Sequence, residues 1–266
     1  MTDKLIAEQL IAEKDGPIGW LIFNNPARRN ALSYAMWDGI APIMADFATD
    51  PDIRVVVLRG SGGAAFCAGA DISEFETQRS TPEQLAHYDA AGDRASAGIR
   101  DIDKPTIAMI EGFCMGGGMG LALDCDLRIA GTSARFGIPA ARLGIGYDHP
   151  GVARLVDVVG PSNAKAIFFT AGQFPAAEAL AMGLITKVTA DDELEADVRG
   201  YCAAIAANAP LSLHCIKTTI EELSVRDRAP DYAACEALVA RCFASEDYAE
   251  GRRAFMEKRK PVFHGR

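Results

Sequence analysis

Long apolar runs are missing from this chain of 266 residues. No stretch approaches the ~18 consecutive apolar residues that a membrane-spanning helix needs, and the opening MTDKLIAEQL is too charged for a secretory leader. A cytoplasmic protein without membrane contact is the expectation. Cysteine is present, at positions 67, 114, 125, 202, 215, 235 and 242, but in none of the spacings that give it work. The number is odd, there is no CxxC pair, and no histidine stands at zinc-ligand spacing. Reduced core thiols and no metal site are expected. An excess of positive charge is also lacking. The formal net charge of −9 argues against nucleic acid or an anionic membrane as a broad partner, while ARRN at 27–30 and GRRAFMEKRK at 251–260 leave room for one locally basic pocket. Neither GxxxxGK[ST] nor a clean GxGxxG with a following acid occurs, so a nucleotide loop is not expected.

What is present reads as a globular α/β chain. With 49% hydrophobic and 24% charged residues, it can bury one large core, or a core with a helical appendage. Apolar alternation in LIAEQLIAE and IGWLIF on either side of KDGP predicts a hairpin. SYAMWDGIAPIMADFA has helical spacing with Ser33 as its cap. IRVVVLRG (53–60) and PTIAMIEG (105–112) read as β-branched strands separated by the helical PEQLAHYDAAGDRASAGIRDI. This alternation points to a largely parallel sheet. LRIAG (127–131) and LITKVT (184–189) continue the strands, and helices follow at 191–208, 211–225, 231–244 and 246–259. The expected organisation is an α/β core over 1–190 and a helical region over 191–266.

Two glycine-rich loops come directly after strands: SGGAAFCAGADISEF (61–75) and GFCMGGGMGLALD (112–124). Glycines that open a helix leave free N–H groups with no Cβ to keep a ligand away. Such a place suits an anion, and two such loops side by side can put one N–H each on a single carbonyl oxygen.

AFCAGAD, KPTIAMIEGFCMGGG and LALDCDLRIA, with NPARRNAL before them and SEDYAEGRRAFMEKRKPVF after, resemble the crotonase (enoyl-CoA hydratase/isomerase) family over nearly the whole chain. The resemblance implies a spiral of repeated ββα units with a helical C-terminal trimerisation region, assembled as a homotrimer or as a hexamer made from two trimers. It implies an acyl-CoA thioester as substrate, of the kind handled in fatty acid metabolism. Coenzyme A then arrives as part of the substrate, and no cofactor is held permanently. Ala70 and Gly117 match the residues whose N–H groups form the oxyanion hole. Arg28, Arg29, Ala68, Asp71 and Ile72 match residues that hold CoA, and Phe255 and Lys258 match tail residues that reach a neighbouring subunit's CoA.

The resemblance breaks at the two glutamates with which hydratases of the family activate water. Gly120 and Ala140 stand at those positions. General acid–base groups contribute about 10²–10⁴ each, so a variant lyase or isomerase reaction is expected. Its candidate carrier is Asp148, in FGIPAARLGIGYDHPG, assisted by Tyr147. Asp148 matches a proton-moving aspartate of dienoyl-CoA isomerases and the nucleophile of chlorobenzoyl-CoA dehalogenases, but it also suits the cap of the helix that HPGVARLV begins. Methylmalonyl-CoA decarboxylases share the tyrosine at 147. Both of these branches lack a match at Ala70, and the dehalogenases also lack one at Asp93 and Ala141. Decarboxylation, dehalogenation and a non-catalytic CoA-binding role are the alternatives. Cys67 and Cys114, next to the glycine loops in apolar company, read as inert thiols.

Overall fold

A computed structural model describes residues 8–78, 80–226 and 228–266. The first seven residues, where MTDK and the start of LIAEQLIAE fall, lie outside the described residues. Strands β1 (Leu10–Asp15) and β2 (Ile18–Phe23) form the expected hairpin, with Asp15 opposite Ile18. Gly16 turns the chain at φ +57, the left-handed conformation that a two-residue hairpin loop requires at its first position. Helix α1 (Tyr34–Thr49) begins where the Ser33 hydroxyl accepts a bond from the Met36 amide. Met36, Ile40, Met44 and Phe47 fall on one face of α1 and are buried.

Three ββα passes follow. The first is β3 (Val55–Gly60), β4 (Ala65–Cys67), the short α2 (Phe75–Gln78) and α3 (Pro82–Arg100). A capping box between Thr81 and Gln84 starts α3. The second is β5 (Thr106–Ile110), β6 (Phe113–Met115) and α4 (Gly117–Asp124). The third is β7 (Leu127–Gly131), β8 (Arg135–Gly137) and α5 (His149–Thr170), which is kinked at Gly160. The two-residue β9 (Phe174–Pro175), α6 (Ala176–Ala181) and β10 (Lys187–Thr189) close the spiral.

The first strand of each pass enters a six-stranded sheet ordered β1-β2-β3-β5-β7-β10, and the second enters a four-stranded sheet ordered β4-β6-β8-β9. From β2 to β10 the larger sheet is parallel. Both of its faces are covered, which explains the unbroken apolar runs of β3 and β5. One face packs on α1 and α3 through residues such as Leu21, Val56, Leu58 and Ala108. The other face is closed by α7 (Leu194–Ala206), whose Leu194, Val198 and Cys202 meet Trp20, Val55, Val57 and Ile107. Burying each of these larger side chains contributes roughly 1.5–3 kcal/mol.

Helices α8 (Pro210–Ser224), α9 (Tyr232–Phe243) and α10 (Glu246–Met256) complete the chain. Lys217 of α8 ties them to the sheet by donating to the Lys104 carbonyl at 3.2 Å and to Asp126 at 3.1 Å. Of the strand expected at 184–189, only Lys187–Thr189 pairs. Leu184 instead donates its amide to the Ala179 carbonyl and closes the end of α6. No helix among the described residues is long and apolar enough to cross a membrane.

Candidate functional site

The two glycine loops meet. Gly69 takes φ +99 after β4, and on either side of Ala70 the backbone is pinned to Leu32: the Leu32 amide donates to the Gly69 carbonyl and the Asp71 amide to the Leu32 carbonyl, both at 2.8 Å. This parallel bridge uses the groups flanking Ala70, so the Ala70 N–H points the other way. Across from it, the Gly116 amide is anchored to the Gly137 carbonyl at 2.9 Å, and Gly117 opens α4. A Cβ on Gly117 would lie 3.9 Å from the Ala70 nitrogen and only 2.9 Å from Cζ2 of Trp37. That close approach is why the position is bare. At Gly118 the demand is stronger still, because a Cβ would overlap the Cys67 carbonyl oxygen at 2.5 Å and its sulfur at 2.7 Å. Among the described residues, neither the Ala70 N–H nor the Gly117 N–H has an acceptor. Two unpaired donors this close, one of them at a helix N-terminus, can hold a single oxygen that gains negative charge.

Cys67 and Cys114 lie directly beneath. Burial pushes the Cys67 thiol up to about 12, against the weaker pull of the Gly69 amide, and raises Cys114 well above its ordinary value. Both stay protonated and unreactive at neutral pH.

Downstream of β8, a 3-10 turn at Pro139–Leu143 leads to Tyr147 and Asp148. Ala140, Ala141, Ile145, Tyr147, Val152, Val156, Phe168 and Phe169 line a groove of about 700 Å³. Tyr147 packs edge-on against Phe168, with ring centroids 5.1 Å apart. Burial first, and then the charges of Asp148 and Asp124, push its phenol up to about 12, so Tyr147 can donate a proton or a hydrogen bond but does not exist as phenolate near neutrality. Asp148 occupies the N-cap position of α5, yet its side chain accepts no capping bond. Its carboxylate is exposed and lies over Gly151, where a Cβ would come within 2.7 Å of Oδ1. At Gly120 an added Cβ would meet nothing within 4 Å, and Ala140 is 9% exposed at the groove wall.

Of the other residues singled out, Arg28 and Asp71 hold one another, with Nη1 2.8 Å from both carboxylate oxygens, and Ser73 joins them. Burial alone would raise the Asp71 carboxyl, but the Ser73 amide and hydroxyl and the Arg28 guanidinium outweigh it and hold its pKa below the usual value. Arg29 lies over the Phe113 ring at 4.7 Å. The Ala68 amide is tied to the Arg29 carbonyl at 3.0 Å, which brings the basic turn to the edge of the first glycine loop. Ile72 is 58% exposed beside it. Phe255 and Lys258 are displayed at the end of α10, with Phe255 82% exposed and not packed on its own chain's site.

Sequence reasoning missed three residues. Trp37 packs its ring against Gly117, and its buried Nε1 has no hydrogen-bond partner among the described residues. Asn30, fully buried at φ +56, donates to the Ser61 and Ala65 carbonyls at 3.0 and 2.7 Å and fixes the basic turn to β4. Asp124 ends α4 with a side chain only 9% exposed, 3.6 Å from Nε of Arg154. The signal available for Asp124 was an acid inside the apolar run LALDCD.

The chain belongs to the enoyl-CoA hydratase/isomerase family, whose model matches residues 13–266. It is similar to the short-chain-enoyl-CoA hydratase of Clostridium acetobutylicum, with 34% identity over 94% of this chain and 95% of the relative. The carnitinyl-CoA dehydratase of Salmonella enteritidis is 31% identical over 98% of this chain and its own full length. Among solved structures, an enoyl-CoA hydratase/carnithine racemase from Magnetospirillum magneticum superposes with a TM-score of 0.92 at 37% identity, covering 97% of this chain and 96% of that one. The crotonase fold expected from the motifs is therefore present, and the protein is an enzyme of this family that acts on acyl-CoA thioesters.

Proposed function

We propose that the thioester carbonyl of an acyl-CoA is held by the Ala70 and Gly117 N–H groups, which stabilise its enolate, and that Asp148 moves a proton at the acyl chain in a lyase or isomerase reaction. Tyr147 assists as a hydrogen-bond donor. The observation that carries this reading is the pair of unpaired amides facing the same space from two loops. Arg28, Arg29, Ala68, Asp71 and Ile72 form the CoA-binding rim at the first loop. Arg28 and Asp71 act there as a pre-formed pair, which leaves Arg29 as the freer cation for phosphate. With Gly120 and Ala140 in place of acids, water has no second carboxylate to activate it.

A second reading, ordinary hydration, is favoured by the names of the similar hydratases. Incubating the protein with crotonyl-CoA in heavy water and weighing the thioester separates the two. Deuterium uptake without mass gain from water is the expected result. Rapid gain of water would overturn the lyase or isomerase assignment, and neither change would favour a CoA-binding protein without catalysis.

Assembly follows the same reading. Ile216, Ile220 and Leu223 form a stripe on α8 at 56%, 59% and 61% exposure, and Tyr232 and Phe243 of α9 are 60% and 62% exposed. Such an apolar patch on a helical tail suits a subunit interface. We assign it to a trimer, alone or paired into a hexamer, in which Phe255 and Lys258 approach a neighbour's CoA. The variant Ile220→Glu/Leu223→Glu is expected to sediment as a monomer. An unchanged mass would remove the 191–266 region from this role. A cytoplasmic location accompanies the proposal.

A further inference from the structure

One short segment touches both halves of the oxyanion site without supplying a group to it. At its first residue, the Leu32 amide and carbonyl bracket Ala70 through the Gly69 carbonyl and the Asp71 amide, both at 2.8 Å. Ser33 then caps α1, and one helical turn on the Trp37 amide bonds back to the Ser33 carbonyl at 3.1 Å. That turn carries the Trp37 ring to the second loop. Its Cζ2 and Cη2 lie 2.9 and 3.1 Å from the point where a Cβ on Gly117 would stand, and that point is itself 3.9 Å from the Ala70 nitrogen. Trp37 is 7% exposed, and its Nε1 finds no hydrogen-bond partner among the described residues, so packing is what the indole offers here. At Gly118 the same turn of α4 is stopped by Cys67, whose carbonyl oxygen and sulfur leave no room for a Cβ. The Gly117 N–H has no acceptor of its own among the described residues. Its direction is therefore set by what packs around the turn.

Resting on the acyl-CoA reading above, we propose that Trp37 is a positioning residue, and that residues 32–37 form a spacer fixing the separation of the Ala70 and Gly117 N–H groups. The backbone of Leu32 sets one donor and the indole edge of Trp37 sets the other. Trp37 acts on the thioester oxygen only through Gly117. An oxyanion site stabilises charge to the extent that its donors are aimed before the reaction, and a misplacement of about 1 Å can cost on the order of 10²-fold. Phenylalanine keeps an aromatic ring but ends short of Cζ2 and Cη2, so the turn at Gly117 loses its backstop. The loss falls on the enolate, which needs both donors, more than on the neutral thioester, which is also held at the CoA rim.

The test reads the bound carbonyl directly. Butyryl-CoA, isotope-labelled at the thioester carbon, is bound to wild type, Trp37→Phe, Trp37→Leu and Trp20→Phe, and its carbonyl stretch is followed by infrared difference spectroscopy beside its affinity. Wild type is expected to lower the frequency, because two aimed donors polarise the carbonyl. Trp37→Phe should give back part of that shift and Trp37→Leu more of it, with the affinity for butyryl-CoA little changed. Deuterium exchange into crotonyl-CoA should lose about 10–10²-fold in maximal rate in these variants while KM hardly moves. Trp20 is buried on the other face of the sheet, so Trp20→Phe controls for loss of a core indole and should match wild type in frequency and rate. A full wild-type shift in both Trp37 variants would overturn the proposal, even if they unfold more easily. So would an equal loss in Trp20→Phe, which would reduce Trp37 to ordinary core packing. If wild type fails to bind butyryl-CoA, or binds it without lowering the frequency, the oxyanion reading itself fails and this proposal falls with it.

Discussion

Asp148→Asn is expected to lower deuterium exchange of the bound acyl-CoA, and turnover of its substrate, by about 10²–10⁴, the usual contribution of a positioned acid–base group. The folded protein should scarcely notice the change. Asp148 sits at the N-cap of α5 without bonding to its amides, and asparagine is as good a residue for that position as aspartate. Were Asp148 only a cap, the asparagine variant would keep full activity. An alanine variant would then lose stability alone, by about 1 kcal/mol. Activity of Asp148→Asn within threefold of wild type would sink the catalytic assignment. Tyr147→Phe provides a graded comparison: its phenol, pushed up to about 12, supplies a hydrogen bond and not a base. Its removal should cost less than loss of the carboxylate, and it should leave the alkaline side of the pH profile unchanged up to the limit of stability.

The meeting of the two glycine loops is legible in the sequence, because it depends on backbone. Glycines directly after β-branched strands announce free amides, and the order of the two loops, with strand and helix between them, announces their meeting. The hairpin at KDGP and the cap at Ser33 are legible for the same reason: Gly16 and Ser33 each satisfy a local geometric demand. Side chains that act through tertiary contact are not legible. Trp37 follows Met36 and precedes Ile40 on an apolar helix, and nothing local shows that its ring packs against Gly117. Arg28 and Asp71 are 43 residues apart, so each can be assigned to a ligand separately while their mutual pairing stays hidden. Strands β4, β6 and β8 have three residues each, too few for period-2 alternation to emerge. They are held by register with one another. Asp148 reads in the sequence only as cap or catalyst, and the fold supplies the missing fact that its side chain bonds to no cap amide.

Asp124→Asn should make the protein more stable at neutral pH, the reverse of what loss of an ion pair suggests. Burial raises the Asp124 carboxyl from 3.8 to about 6, against the Ser96 bond and the Arg154 and Arg100 charges, with Asp101 adding to the rise. Its place at the C-terminal end of α4 also opposes a negative charge, because the helix dipole is negative there. The folded state therefore holds its proton in a range where the unfolded chain has lost it. The native protein binds more protons between about pH 4 and pH 6, so stability falls as pH rises through that window and stays reduced above it. A rise of this size corresponds to about 3 kcal/mol. Asparagine keeps the size of the side chain and cannot ionise. The Arg154 partner, 3.6 Å away and 34% exposed on its side chain, retains water when the carboxylate is gone, so the loss of that pair offsets little. Urea unfolding should therefore show Asp124→Asn about 2–3 kcal/mol more stable than wild type at pH 8 and nearly equal to it at pH 4. A variant less stable at pH 8 would mean that the pair with Arg154 outweighs the burial of the charge. The predicted gain has a structural consequence for the site. Asp124 lies two helical turns beyond the Gly117 amide, on the helix face it shares with the open Gly120 position. Its charge is felt by the Tyr147 phenol, so the variant that stabilises the fold should also lower the pH at which Tyr147 titrates.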